Sequence, residues 1–130
     1  MFLKEHDVTI VYTHHCGDVN IDHRRVHEAV VTACRPIPGG IIIKTLLYFE
    51  TLSSTEWQTP GSAPYFMPNC FVNIEPYLAL KLAALREYHT EMRPWPHARS
   101  YEAIECLAKF RGIMAGVHAD EAFMLGRQII

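Results

Sequence analysis

The stretch "DVTIVYTHHCGDVNIDHRRVH", residues 7 to 27, decides how the start of this chain is interpreted. Its first seven residues are mostly β-branched or aromatic and apolar on both faces, which is typical of a covered strand in a parallel sheet. From about residue 23 the apolar positions Val26, Ala29, Val30 and Ala33 recur at helical spacing and predict a helix with that stripe buried. Residues 14 to 23 then form the loop beyond the carboxyl end of a strand, where open parallel sheets gather ligand sites.

The rest of the chain continues the alternation of strands and helices. The sequence predicts strands at 44–50 and 70–74, and a last strand or packed tail at 121–130. It also predicts two helices. One runs from Pro76 to near Met92, and the other is capped by Ser100 and buries Leu107, Phe110 and Met114. This order predicts a single α/β domain with a mostly parallel sheet. The first strand has the pattern of a strand in the middle of the sheet, although no β-α unit precedes it to cover its side. The sequence therefore predicts the second half of a larger domain.

A long loop separates the second and third predicted strands. It covers about 19 residues, "TLSSTEWQTPGSAPYFMPN", and its Ser, Thr, Pro and Gly content excludes a regular element. Loops of this length inside a compact domain are usually functional or disordered. Because Trp57, Tyr65 and Phe66 are residues that a disordered linker lacks, we interpret the loop as an ordered wall of a site.

Composition and charge narrow the class of protein. A net charge of −2 over 130 residues provides no basic field for nucleic acid. The four cysteines form no C-x-x-C pair, and the N-terminus lacks the pattern of a signal peptide. The apolar runs are far shorter than the roughly 20 residues that cross a bilayer. We therefore predict a soluble, cytoplasmic protein that binds neither nucleic acid nor membrane.

The histidines after the first strand are the main candidates for chemistry. Helical geometry places His23 in the first turn beside the core-facing stripe, so that it faces the predicted cleft. A neutral imidazole is the commonest metal ligand, and Asp22 can orient such a ring, while Asn20 or Asp22 can cap the helix. The alternatives stay open: His23 is an ordinary residue of a helical first turn, or it forms a two-histidine clamp with His27.

Other polar residues have two interpretations each. Asp18 binds a hydroxyl of a ligand or makes an Asx-turn after Gly17, and Glu50 contacts a hydroxyl or is a solvated strand end. Trp57 and Trp95 stack on a ring of a ligand or belong to a core or interface. The rigid "RPWPH" segment brings Arg93 and His97 together, where they recognise a phosphate or carboxylate of a substrate or only shape a turn. The candidate substrate-binding residues are Asp18, Glu50, Arg93 and His97.

Several segments together resemble a known family. They are "THHCGDVNIDHRRVHEAV", "ETLSSTEWQ", "PNCFVNI", "LKLAALREYHTEMRPWPHARS" and "EAFMLGRQII", with the N-x-D-H-R segment at 20–24 as the most specific part. Over practically the whole chain the sequence resembles the LmbE-like branch of the PIG-L zinc-dependent de-N-acetylases. The resemblance implies part of a Rossmann-like three-layer α/β domain, a zinc cofactor, and an N-acetylated amino sugar or its conjugate, such as an N-acetylglucosamine conjugate, as substrate.

The resemblance also assigns roles and reveals a gap. It implies that His23 is a zinc ligand, that Asp22 is the carboxylate supporting the site, and that Asn20 stands where many members have a histidine. The family's other zinc ligands and its base come from an A-H-P-D-D-type motif after the first strand of the fold, and this sequence has none. The sequence therefore predicts a domain that lacks its N-terminal β-α half.

Two functional hypotheses follow. In the first, the chain is part of a zinc amidohydrolase that is inactive alone, and His14, His15 or Asn20 donates a hydrogen bond to the tetrahedral oxyanion. In the second, it is a non-catalytic binding or structural subunit. Both predict a homo-oligomer, because a sheet whose central strand has lost its neighbour exposes an edge and an apolar face.

Overall fold

The computed structural model describes residues 2–130 and divides them into two compact units. The first unit comprises the residues up to Asn69 together with Phe123–Ile130, and the second comprises Cys70–Ala122. None of the helices in this described part is long and apolar enough to cross a membrane. The elements are α1 (Phe2–Glu5), β1 (Ile10–His14), α2 (Ile21–Ala33), β2 (Thr45–Phe49), β3 (Cys70–Asn73), a 3₁₀ turn (Glu75–Tyr77), α3 (Leu78–Arg86), α4 (Tyr101–Ala115) and β4 (Asp120–Gln128).

The sheet is mixed, and the prediction of a mostly parallel sheet is wrong. Its strand order is β1-β2-β4-β3. β1 and β2 are parallel, with His14 opposite Phe49 at their carboxyl ends, whereas β4 is antiparallel to β2. A single helix between two strands returns the chain in the same direction. Here α3 and α4 follow each other before β4, and the additional reversal explains the antiparallel strand.

β1 lies at one edge of this sheet, contrary to the interpretation of a covered central strand. Among residues 2–130 its one strand neighbour is β2. Ile10 and Tyr12 are 50% and 52% exposed, while Thr13 is buried. One face of β1 therefore packs inside the first unit, and the other presents apolar side chains to solvent.

The helix predicted after β1 is present, but it buries a different face. Val26, Ala29 and Ala33 of the predicted stripe are exposed. The less exposed positions are His23, Arg24, His27, Val30 and Val31, followed by the buried Cys34. Polar imidazoles lie on this face because their ring nitrogens find hydrogen-bond partners there, which apolar periodicity cannot reveal.

The second unit is built around Ile74, Ala108 and Ala119, with Leu78 packed against them. Ser100 caps α4 as predicted, and its Oγ accepts a hydrogen bond of 3.0 Å from the Ala103 N–H.

Two predictions about the helices of the second unit are wrong. α3 ends at Arg86 rather than near Met92, and turns follow it. On α4 the predicted buried residues Phe110 and Met114 are 57% and 49% exposed, and Ala108 and Gly112 are buried instead. A Cβ on Gly112 would lie 2.5 Å from the Val117 carbonyl oxygen, so only glycine allows this close packing.

Asp120, at the start of β4, generates a testable prediction. It is 2% exposed, and neither carboxylate oxygen has a hydrogen-bond partner among the described residues. Burial raises the pKa of Asp120. At pH values between the ordinary and the raised pKa, the folded state therefore retains a proton that the unfolded state has already lost. Stability from this group is greatest below the ordinary carboxyl pKa and is lost as pH rises through the raised value.

We expect Asp120→Asn to increase the free energy of unfolding at neutral pH by about 1–3 kcal/mol, because it removes an unpartnered buried charge. The gain disappears below about pH 3, where wild-type Asp120 is protonated in both states. Urea unfolding followed by circular dichroism at the two pH values measures it. A variant less stable than wild type at neutral pH would contradict the assignment.

Candidate functional site

A buried carboxylate organises the loop between β1 and α2. Asp18 is fully buried, and its Oδ1 accepts hydrogen bonds from the Asn20 N–H at 2.8 Å and from Ser54 Oγ. Its Oδ2 accepts from Thr55 Oγ1 at 3.2 Å and lies 3.1 Å from His23 Nδ1. The four partners come from the turn itself, from α2 and from the loop after β2. Asp18 thus joins three segments of the first unit at the carboxyl ends of its parallel strands.

The hydrogen bonds keep Asp18 ionised despite its burial. Burial works to raise the pKa of Asp18, but the hydrogen bonds from Ser54, His23 and the Asn20 N–H lower it below the usual value. The Asn20 N–H···Asp18 bond is the predicted Asx-turn. With no exposed surface and four partners, Asp18 is not placed to bind a substrate hydroxyl directly.

His23 is held on two sides. Its Nδ1 faces Asp18, and its ring stacks on His14 with centroids 4.1 Å apart and planes 25° from parallel. The side chain remains 21% exposed, and Nε2 makes no hydrogen bond to the described residues. His23 therefore presents one free nitrogen outward from a fixed ring.

His14 and His27 have different surroundings. His27 Nδ1 lies 2.8 Å from the His14 carbonyl oxygen, and its ring packs on Tyr48 with centroids 4.9 Å apart. His14 packs on Phe49 as well as on His23, and its Nδ1 is buried without a hydrogen-bond partner among the described residues. Burial lowers the pKa of His14, and the neighbouring His23 lowers it further. His14 is therefore a neutral imidazole beside His23.

His15, which was predicted as a catalytic candidate, lies in the interior of the loop. It is 1% exposed, its Nδ1 accepts a 3.1 Å hydrogen bond from the Gly17 N–H, and its ring meets Phe66 edge-on at 5.6 Å. Burial lowers the pKa of His15. Because Nδ1 is an acceptor, the neutral ring carries its proton on Nε2, 3.9 Å from Cys16 Sγ. This geometry favours a structural role for His15.

Asn20 is the N-cap of α2, one of the two possibilities left open by the sequence. Its Oδ1 accepts a 2.9 Å hydrogen bond from the Asp22 N–H. The Asp22 side chain is exposed in the first turn of the helix. The carboxylate that contacts His23 is that of Asp18 and not that of Asp22.

The long loop after β2 contacts the site as predicted, but partly through residues that the sequence did not single out. Gln58 Nε2 donates to the Gly17 carbonyl at 3.0 Å, and a Cβ on Gly17 would lie 2.0 Å from the Pro64 carbonyl oxygen. The aromatic residue Phe66 covers His15. The hydroxyls of Ser54 and Thr55 were missed. Their signal is the "SST" that follows the end of a strand parallel to β1.

The remaining candidates occupy other positions. Glu50 follows β2 directly and is half-buried, whereas Trp57 in the same loop is 53% exposed. In the second unit the exposed Arg93 guanidinium donates to the Thr90 and Met92 carbonyls at 2.8 Å, and His97 Nδ1 accepts from the Arg99 N–H at 3.0 Å. These contacts shape the turn around Trp95, which is 60% exposed. The predicted substrate contacts of Glu50, Arg93 and His97 stay predictions.

Within residues 2–130 no three His, Cys, Asp or Glu side chains come together as a metal site. His14 and His23 are adjacent, but the nitrogen lone pairs of stacked rings lie in two nearly parallel planes and do not converge on one ion. The chemistry of His23 fits one ligand of a zinc ion, and the described residues do not complete the three that a catalytic site needs.

Comparison with known proteins places the chain near a deacetylase. No protein-family model matches it. It is 36% identical over 83 residues to the uncharacterized deacetylase YaiS of Escherichia coli K12, an alignment covering 63% of this chain and 37% of that protein. The crystal structure of the conserved protein TT1542 from Thermus thermophilus is similar with a TM-score of 0.71 at 20% identity. That similarity, which speaks to the fold alone, covers 99% of this chain and 56% of the Thermus chain.

The contacts of Asp18 lead to a prediction about Ser54. We expect Ser54→Ala to lower the free energy of unfolding by about 1.5–3 kcal/mol, because it removes a hydrogen bond to a buried charge. Ser62→Ala, at an exposed position of the same loop, is the matched control and should change stability by less than about 0.5 kcal/mol. Equal effects of the two variants in urea unfolding would refute the role given to Ser54.

Proposed function

We propose that this chain belongs to a zinc-dependent de-N-acetylase of the PIG-L/LmbE-like type and carries its C-terminal portion. The observation that supports this most is the 36% identity to a deacetylase, together with a histidine held by a buried carboxylate at the carboxyl end of β1. The chain spans about a third of the length of that relative and just over half of the Thermus chain. The activity proposed is therefore that of a longer polypeptide or of an assembly.

The proposed reaction is hydrolysis of an N-acetyl group from an amino sugar or its conjugate. A bound zinc ion supplies a water of lowered pKa and polarises the acyl oxygen. In this chain His23 would supply one ligand to such an ion, and residues outside 2–130 would supply the remaining ligands. His14, a neutral imidazole beside His23, is the candidate donor to an oxyanion. Glu50 follows the adjacent parallel strand and is the candidate for a hydroxyl contact.

A second candidate function is a non-catalytic subunit of a cytoplasmic homo-oligomer. It is favoured by the edge strand β1, whose Ile10 and Tyr12 are half exposed. Unpaired strand edges with apolar side chains invite pairing with another chain. The two candidates differ in what they require of His23: the hydrolase needs its imidazole, and the structural subunit does not.

The first test is the zinc content per chain after purification without added metal. Under the hydrolase proposal we expect zinc once the portion with the other ligands is supplied, both in the wild type and in His89→Ala, whose exposed histidine lies on the second unit. We expect that zinc to be lost in His23→Ala. Zinc that persists in His23→Ala would exclude His23 as a ligand. A stable assembly without zinc and indifferent to His23→Ala would favour the structural subunit.

The second test is release of acetate. Supplying the missing portion, covalently or in trans, should produce hydrolysis of an N-acetylglucosamine conjugate, and His23→Ala should reduce the rate by at least about 100-fold, as loss of a metal ligand or its support does. A correctly folded, zinc-loaded, full-length protein that hydrolyses no N-acetyl sugar would overturn the proposal.

Assembly is tested by sedimentation velocity at micromolar concentration. We expect a dimer or larger species, and we expect Tyr12→Lys to shift it toward monomer, because charge on an edge strand opposes pairing. Lys substituted for the exposed Tyr88 of the second unit is the control. A monomeric wild type would contradict homo-oligomer formation.

A further inference from the structure

We propose that Asp18, supported by the loop hydroxyls of Ser54 and Thr55, is the positioning residue that fixes the tautomer of His23, with the proton on Nδ1 and the lone pair on the outward Nε2. The value of this tautomer for metal binding rests on the proposed function. The tautomer itself rests on hydrogen bonds within the first unit.

The direction of the Asp18–His23 hydrogen bond follows from its neighbours. A backbone N–H only donates, so the bond from Asn20 makes Oδ1 an acceptor. The hydroxyls of Ser54 and Thr55 donate one to each oxygen of the same carboxylate. Oδ2 carries no proton to give, and the 3.1 Å contact requires His23 Nδ1 to be the donor. A neutral His23 ring then has its lone pair on Nε2.

The stacked ring of His14 keeps this arrangement in place. His14 covers one face of His23 at 4.1 Å and packs on Phe49 at 4.7 Å. Rotation of the His23 ring about its Cβ–Cγ bond by 90° would lose the stacking, and rotation by 180° would keep the ring plane but lose the bond to Asp18. The outward direction of Nε2 is therefore fixed before any ligand arrives, as in sites where a carboxylate orients a metal-binding histidine.

The same network predicts that Asp18→Asn reverses the tautomer without changing the shape of the side chain. The Asn20 N–H still requires an acceptor, so the amide oxygen must take the place of Oδ1. The amide NH₂ then takes the place of Oδ2 and faces His23 Nδ1 and Thr55 Oγ1. As an obligatory donor, it pairs with a deprotonated Nδ1 and moves the ring proton to Nε2.

The test is nitrogen-15 NMR of the histidine rings in the full chain, at a pH where His23 is neutral. We expect a protonated Nδ1 and an unprotonated Nε2 in the wild type, and the reverse in Asp18→Asn. Asp22→Asn makes the same chemical change on the neighbouring exposed carboxylate and should leave the His23 tautomer unchanged. Glu28→Gln, on the exposed face of α2, is the neutral control.

Each outcome decides the proposal. A wild-type His23 with its proton on Nε2 refutes it, and so does a tautomer that responds to Asp22→Asn but not to Asp18→Asn. If Asp18→Asn fails to fold, the wild-type spectrum still decides the tautomer. Thr55→Val then tests the supporting loop by removing one donor to Oδ2, and it should retain the Nδ1–H form because the carboxylate stays an acceptor.

A measurement of zinc affinity separates this inference from the proposed function. If zinc binds, Asp18→Asn should weaken it about 10- to 100-fold and Glu28→Gln should not. If the wild type has the expected tautomer but no zinc binds in any form of the protein, the proposed function fails while the role of Asp18 stands. If zinc binds and Asp18→Asn leaves its affinity unchanged, the positioning role fails while the metal site stands.

Discussion

The first unit depends on the placement of one buried charge. An ionised carboxylate removed from water costs several kcal/mol unless its oxygens are hydrogen-bonded. Asp18 meets this requirement with donors from its own turn, from α2 and from the loop after β2. Since no single segment can satisfy the carboxylate alone, the three must be in place together. The charge therefore couples a loop without regular structure to the first turn of a helix.

The parallel pair of strands makes this coupling possible. β1 and β2 end at His14 and Phe49, which are opposite each other, so the chain leaves both strands at the same edge. The residues that follow, 15–20 and 50–58, are neighbours as a consequence of topology. Glycine at position 17 then allows the long loop to pass close over the first one. The strand topology alone therefore brings the two loops of the site together, whatever side chains they carry.

Local sequence patterns predicted where the helices and strands lie better than they predicted which side of each element is buried. The Ser100 cap, the β1–α2 succession and the ordered loop after β2 depend on neighbouring residues and were visible in the sequence. The inward face of α2 was not visible in the sequence, because His23 and His27 are half-buried there through hydrogen-bond partners outside the helix. The reversed direction of β4 was also missed, since strand direction depends on how two helices pack in series. Likewise, the hydrogen bond from Ser54 to Asp18 was missed because the two residues are 36 positions apart in the sequence.

The contrast between Asp18 and Asp22 shows why adjacency in sequence is a poor guide to which carboxylate acts on a histidine. Successive side chains on a helix diverge by about 100°, so Asp22 points away from the ring of His23 although it is its neighbour in the chain. Asp18 precedes the N-cap, and its Asx-turn bends the chain back toward the first helical turn, which brings its carboxylate to Nδ1. The histidine is then on a rigid helix while its partner is in a loop. A change in the order of residues 50–58 therefore reaches His23 through Asp18 and through the 3.4 Å contact between Ser54 Oγ and His23 Nδ1, which makes that loop part of the site.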